Sequence, residues 1–262
     1  MTETYYFLHI PKTAGSTLCF SVLPELFNLA ETCPAHDYPE ILSIPPAELS
    51  RFRLFRGHFY YFFARFLSAK PRYLTFLRDP VERTLSLYDH ICRDTRHFQH
   101  HAMCSLKNGL RDAVRSPELL PPNFQVTALA SDLDPVRTLA LSRAAHPENL
   151  DEYSVVYSEM TKRIPTRDDL AVARQRLEEM EFVGIVERFD ESIELLCSTF
   201  GWKVPAFESM NIAPVRTRRD GIASDVLAAL MQTHALDFEL YEFAKSLFSR
   251  RVSRKQFRRP CR

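Results

Sequence analysis

Two short apolar runs, each closing on a proline-marked turn that opens a helix, set the frame for this chain of 262 residues. Tyr5 to Ile10 is β-prone, Pro11 ends it, and Leu18, Phe20, Val22, Leu23, Leu26 and Phe27 then recur as one face of a helix. Tyr73 to Leu77 repeats the design. Arg78-Asp79-Pro80 follows it, with proline suited to a first helical turn, and Leu85, Leu87, Tyr88 and Ile91 supply the apolar face. Arg53 to His58 and Phe182 to Val186 read as two more strands. Asp168 to Met180, Phe189 to Phe200, Ser224 to His234 and Asp237 to Phe248 read as helices, and His97 to His146 as helices broken by Pro117, Pro121, Pro122 and Pro135. Strands alternating with helices predict an α/β fold with a central, mainly parallel sheet flanked by helices.

The chain has six glycines, at positions 15, 57, 109, 184, 201 and 221. No two stand two or five apart, so neither the G-x-G-x-x-G fingerprint nor the Walker A loop can be written. Apolar residues make up 45% and charged residues 26%, an ordinary globular balance that supports a sizeable core. No internal repeat or convincing linker divides the chain, which predicts a single domain over 1–262.

Seven Lys and Arg with no acid fall between Ser249 and Arg262, so the net charge of +1 becomes −6 for everything before that tail. Such a tail can meet an acidic partner, but a solvated, frayed terminus explains it as well. No specific nucleic-acid signature appears. The longest stretch without charge, Leu119 to Ser131, contains Pro121 and Pro122 and falls short of the roughly 20 residues of a membrane span. The opening residues lack a signal-peptide pattern, and the six cysteines are dispersed without a C-x-x-C pair. A cytoplasmic protein with free thiols is the expectation.

His9-Ile-Pro-Lys-Thr-Ala-Gly-Ser-Thr17 lies between the first strand and the first helix, where backbone N–H groups and the helix dipole converge on an anion. Gly15 would let the backbone approach closely, Ser16 and Thr17 supply hydroxyls, and Lys12 adds a cation. The same residues would also serve as a tight turn with Ser16 as N-cap. At the second turn, Arg78 can grip a phosphate with its fork, and Ser86, about two helical turns on, can complete the grip. A local Arg78–Asp79 pair at a helix start fits equally well.

Taken together, HIPKTAGST and LRDPVERTLSLY (His9–Thr17 and Leu77–Tyr88) resemble the sulfotransferases that use 3′-phosphoadenosine-5′-phosphosulfate (PAPS), the group containing heparan sulfate 2-O-sulfotransferase and its bacterial relatives. The resemblance extends to Arg56-Gly57-His58, Asn123-Phe-Gln125, Phe182 to Ser192, Asn211 to Arg219 and Leu236 to Ala244, nearly the whole chain. It implies a three-layer, P-loop NTPase-like sulfotransferase fold. It further implies that Pro11, Lys12, Thr13, Ala14, Gly15, Ser16 and Thr17 bind the 5′-phosphosulfate, with Lys12 stabilising the bridging oxygen as sulfate leaves. Arg78 and Ser86 would bind the 3′-phosphate, with Arg216, Arg218 and Arg219 close to the nucleotide. His58 matches the histidine base, with Gly57 giving the acceptor room; read from residue type alone, His58 is a packed histidine at a strand end. His9 is expected to brace the loop.

The expected activity is transfer of the sulfuryl group from PAPS to a hydroxyl acceptor, a glycan or another small molecule, with no metal required. A P-loop-like kinase using ATP and a non-catalytic binder of nucleotide or acidic glycan are the competing readings. His97, His100, His101 and Cys104 look like metal ligands but lack the second pair a zinc site needs. Phe59 to Phe63 with Phe66 could be an acceptor wall or core. Acceptor choice is expected to lie in the loops from Glu31 to Ser50 and Asp94 to Asp134, whose residues carry no decodable pattern.

Overall fold

A computed structural model describes residues 3–67, 69–145, 152–210 and 216–257. Four strands, β1 (Tyr5–Leu8), β2 (Leu54–Gly57), β3 (Arg72–Leu77) and β4 (Phe182–Ile185), form one sheet in the order β2-β1-β3-β4. All three pairings are parallel, with Tyr5 beside both Leu54 and Arg72, and Leu74 beside Phe182. Every residue of β1, β2 and β4 is buried, as parallel strands covered by helices on their faces require. The domain is therefore α/β with a parallel central sheet, as the alternating pattern predicts.

In this order the chain steps from β1 to one side for β2 and to the other for β3 and β4. The point where direction reverses lies between β1 and β3, and open parallel sheets bind ligands outside the strand carboxyl ends at such a point. The loop after Leu8, His58 after Gly57, and Arg78 after Leu77 all emerge on that edge.

The main core joins both sheet faces to the surrounding helices, with Tyr6, Phe7, Phe55, Phe76 and Phe182 fully buried. A second cluster, including Val81, Leu85, Ile91, Met103 and Leu230, packs the Pro80–Arg93 helix against the His100–Cys104 and Ser224–Thr233 helices. Phe59 and Phe63 are fully buried with tilted rings 4.7 Å apart, so this aromatic segment is core.

Two expectations need correction. The last helix runs Ala235–Phe257, so the basic tail is not frayed over its described part. Arg251 donates to the carbonyls of Met180 (2.7 Å) and Glu181 (3.3 Å), just past the Arg167–Glu179 helix, and Lys255 donates to that of Glu194 at 2.9 Å. Cations at a helix carboxyl end satisfy orphan carbonyls and complement the dipole. The remainder of the tail, 258–262, and positions 211–215 of the segment that resembles the sulfotransferases lie outside the described residues, as does His146. The other correction is an added helix, Glu152–Thr161, which carries Tyr153 and Tyr157 to the edge described next. Among the described residues, no helix is long and apolar enough to cross a membrane.

Candidate active site

A cavity of about 1060 Å³ opens at the carboxyl edge of the sheet. Single small-ligand sites usually span about 300–1,000 Å³, so this one stands just above that range. Of the sequence-predicted residues, Pro11, Lys12, Ala14, Gly15, Ser16, Thr17, His58, Arg78, Ser86 and Arg216 all line it. Thr13 does not; it is buried, and its hydroxyl donates to the Ile10 carbonyl at 2.8 Å. Arg218 and Arg219 are also outside the lining, with Arg219 3.5 Å from the Asp79 carboxylate. Among the described residues, six Lys and Arg line the cavity against three Asp, so its field favours an anion.

The loop after β1 is held in an uncommon backbone form. Lys12 and Ala14 have φ of 71° and 63°, a left-handed conformation that costs a side-chain-bearing residue on the order of 1 kcal/mol or more. Left-handed residues alternating with one of ordinary hand, as Lys12, Thr13 and Ala14 do, turn backbone N–H groups toward one concavity, an anion-binding arrangement. Ala14 is also the residue from which the Gly15–Thr17 turn starts.

The structure gives the two glycines of this region different reasons from those the sequence suggested. A Cβ on Gly15 would lie 1.7 Å from Nε2 of His9, so the space beside Gly15 is filled by the His9 ring. A Cβ on Gly57 would lie 2.4 Å from the carbonyl oxygen of His36, which accepts the backbone N–H of His58 at 2.8 Å. Gly57 thus admits protein backbone, leaving no room there for an acceptor. Arg56 turns away from the cavity to donate to the Cys19 carbonyl.

His58 stacks on His9 with ring centroids 4.4 Å apart, and its Nδ1 lies 3.0 Å from the His9 carbonyl oxygen. A carbonyl only accepts, so Nδ1 carries the hydrogen and Nε2 keeps the basic lone pair. Burial lowers the His58 pKa to about 4, with the His9 bond working against the shift and His36 and Lys12 adding to it. The ring is therefore neutral near pH 7. Burial, assisted by Arg93, Arg78 and Arg83 and opposed by Asp89, brings Lys12 down to about 8.

Arg78 links the two anion motifs. Its Nη1 donates to the Lys12 carbonyl at 3.1 Å, while Glu82 and Glu187 lie 3.7 and 3.9 Å from its guanidinium. Asp89 accepts from the backbone N–H and hydroxyl of Thr217 at 2.8 and 2.6 Å, which ties the Arg216 segment to the Pro80–Arg93 helix.

Several lining residues escaped the sequence reading. Arg83, His90 and Arg93 stand three before, four after and seven after Ser86, and that helical spacing places all four on one face. This signal was present in the sequence. Phe98 and Tyr153 come from segments far apart in the chain and have no local signature. They continue an aromatic strip away from His58: His58 to Tyr153 at 6.2 Å, Tyr153 to Phe98 at 6.3 Å, Phe98 to His97 at 4.7 Å. Phe98 is 38% exposed, with His97 stacked on its ring. Among the described residues, no group of three or more His, Cys, Asp and Glu is arranged to hold a metal ion.

Fold and cavity together define a parallel α/β fold with a large cationic cavity at its switch point. Comparison with known proteins finds similarity to sulfotransferases. The zebrafish heparan-sulfate 6-O-sulfotransferase 1-B is 27% identical over 299 aligned positions, covering 97% of this chain and 68% of the relative. The zebrafish heparan-sulfate 6-O-sulfotransferase 3-B is 31% identical over 198 positions, covering 68% of this chain and 43% of the relative. A protein-tyrosine sulfotransferase of Arabidopsis thaliana is 20% identical over 255 positions, covering 78% and 50%. The chain thus spans about two thirds of the first relative and half or less of the other two. No family model matches. These relatives support a sulfotransferase enzyme; they do not carry the 2-O position of the sequence resemblance.

Proposed function

We propose that this protein transfers the sulfuryl group of PAPS to a hydroxyl, on a carbohydrate acceptor. The observation that carries the reading is the convergence on one cavity of the Pro11–Thr17 loop, the Arg78 and Ser86 pair and His58. A nucleotide with phosphates at both ends of its ribose needs two separated anion cradles, and two strand-to-helix turns on the same sheet edge supply them. The 5′-phosphosulfate takes the loop, and the 3′-phosphate takes Arg78 and Ser86, with Arg216 nearby.

The step runs in line, by analogy with phosphoryl transfer. The acceptor oxygen forms a bond to sulfur, the bond from sulfur to the bridging phosphate oxygen breaks, and the acceptor proton passes to Nε2 of His58. Lys12, still an ammonium below about pH 8, stabilises the charge that grows on the leaving oxygen. A His58 pKa near 4 keeps the base unprotonated before the donor arrives. The negative charge of the donor then favours the imidazolium formed during transfer. The acceptor ring lies along Tyr153 and Phe98, with Arg93 and Arg96 at hand for an anionic substituent.

Binding selectivity tests the donor. Wild-type protein should prefer adenosine 3′,5′-bisphosphate over ADP and ATP, and Arg78→Ala should abolish the preference. Indifference to the 3′-phosphate in the wild type would instead support an ATP-using kinase.

A further inference from the structure

Asn123, Gln125 and the start of the last helix do not line the cavity, although Phe124 between them does, yet they carry a buried polar chain that ends on Arg78. The Gln125 side chain brackets the Arg78 backbone: Oε1 accepts its N–H at 3.0 Å, and Nε2 donates to its carbonyl at 2.9 Å. Gln125 is itself held. The Asp237 carboxylate accepts from the backbone N–H of Gln125 at 3.1 Å and of Val126 at 2.8 Å, and the Asp237 N–H donates to Oδ1 of Asn123 at 3.0 Å.

The chain then returns to the helix that Arg78 precedes. Asn123, at φ 51°, donates its N–H to Nδ1 of His234 at 3.1 Å. Nε2 of His234 therefore carries the hydrogen and donates to the Thr84 hydroxyl at 3.1 Å, which donates to the Pro80 carbonyl at 2.9 Å. Thr84, Gln125, His234 and Asp237 are each at most 1% exposed. Buried polar groups cost stability unless every partner is met, and when met they fix one geometry. The geometry fixed here is that of the peptide groups on both sides of Arg78.

We propose that Gln125, held by Asp237, is a positioning residue for the 3′-phosphate: it fixes the Arg78 backbone so that the guanidinium meets that phosphate. The inference rests on the reading of Arg78 as the 3′-phosphate ligand. Neither Gln125 nor Asp237 touches the nucleotide, and both act through Arg78.

Calorimetric titration of the full chain with adenosine 3′,5′-bisphosphate and with adenosine 5′-monophosphate tests it. Gln125→Met keeps the volume and removes both side-chain bonds. It should lower the bisphosphate-to-monophosphate affinity ratio about tenfold, while monophosphate affinity stays within about twofold. Gln125→Glu keeps the acceptor for the Arg78 N–H and should recover part of the ratio. If Gln125→Met does not fold, Gln125→Glu and Asp237→Asn carry the test, each lowering the ratio severalfold. An unchanged ratio in the folded variants, or a parallel fall for both nucleotides, overturns the inference. A wild type without preference for the bisphosphate overturns the 3′-phosphate reading itself, and the inference with it.

Discussion

Arg78 donates from Nη1 to the carbonyl oxygen of Lys12 at 3.1 Å, so the arginine that ends β3 holds the backbone of the loop that follows β1. This bond joins the two strand-to-helix turns. On the proposed reading, Arg78 serves the 3′-phosphate while bonding the loop that carries Lys12.

Lys12→Ala should lower kcat by about 10²–10³, the usual loss when one charge-stabilising group is removed from a preorganised site. Affinity for adenosine 3′,5′-bisphosphate should change only severalfold, because the loop N–H groups and Arg78 remain. Steady-state kinetics and titration of the same preparation separate the two quantities. Equal losses in both would make Lys12 a binding residue only.

The pH profile follows from two groups with opposite requirements. On the proposed reading His58 works deprotonated, so kcat/KM should fall as pH drops toward its pKa near 4. On the same reading Lys12 works protonated, so kcat/KM should fall as pH rises through about 8. Lys12→Arg should move the alkaline limb upward and leave the acid limb in place. An alkaline limb that stays near pH 8 in that variant would assign it to another group.

Gly15→Ala sets a methyl against the His9 ring, where the Cβ would stand 1.7 Å from Nε2. We expect a destabilisation of about 1–3 kcal/mol, as for other overpacked sites. His9→Ala combined with it should recover part of the loss, since contacting sites are not additive. Urea denaturation of the four proteins gives the coupling, and strict additivity would contradict the packing described.

Stability should fall on mild acidification. Burial lowers the pKa of His234 to about 3 from an unfolded value near 6.5. The unfolded chain then binds the proton first, and stability present above about pH 6.5 is lost as pH falls toward 3. Between pH 7 and 5 this amounts to at most about 2 kcal/mol. Asp237 works in the other direction, since its pKa is raised to about 6 and its contribution to stability is lost as pH rises through that value. His234→Asn should flatten the acid-side decline in urea midpoints. An unchanged slope would place the labile groups elsewhere.

How far the sequence could be read depended on whether a feature was local. The Pro80–Arg93 helix was legible because Asp79 caps it, its carboxylate accepting from Val81 and Glu82, and because Pro80 suits the first turn. The Phe189–Phe200 helix matched end to end, stopped by Gly201 at φ 72°. The roles of Gly15 and Gly57 were not legible, since the rings and carbonyls they accommodate, His9 and His36, are set by tertiary packing. Tyr153 and Phe98 meet only because tertiary packing brings the Glu152–Thr161 helix to the cavity, and no spacing within either segment announces it.

Transfer of radiolabelled sulfate from PAPS, measured against oligosaccharide and tyrosine-peptide acceptors with wild type and His58→Ala side by side, tests the central claim most directly. The account predicts labelled oligosaccharide with the wild type and a loss of at least about 10² in rate with His58→Ala. No labelled acceptor together with no binding of adenosine 3′,5′-bisphosphate, or undiminished transfer by His58→Ala, would contradict it.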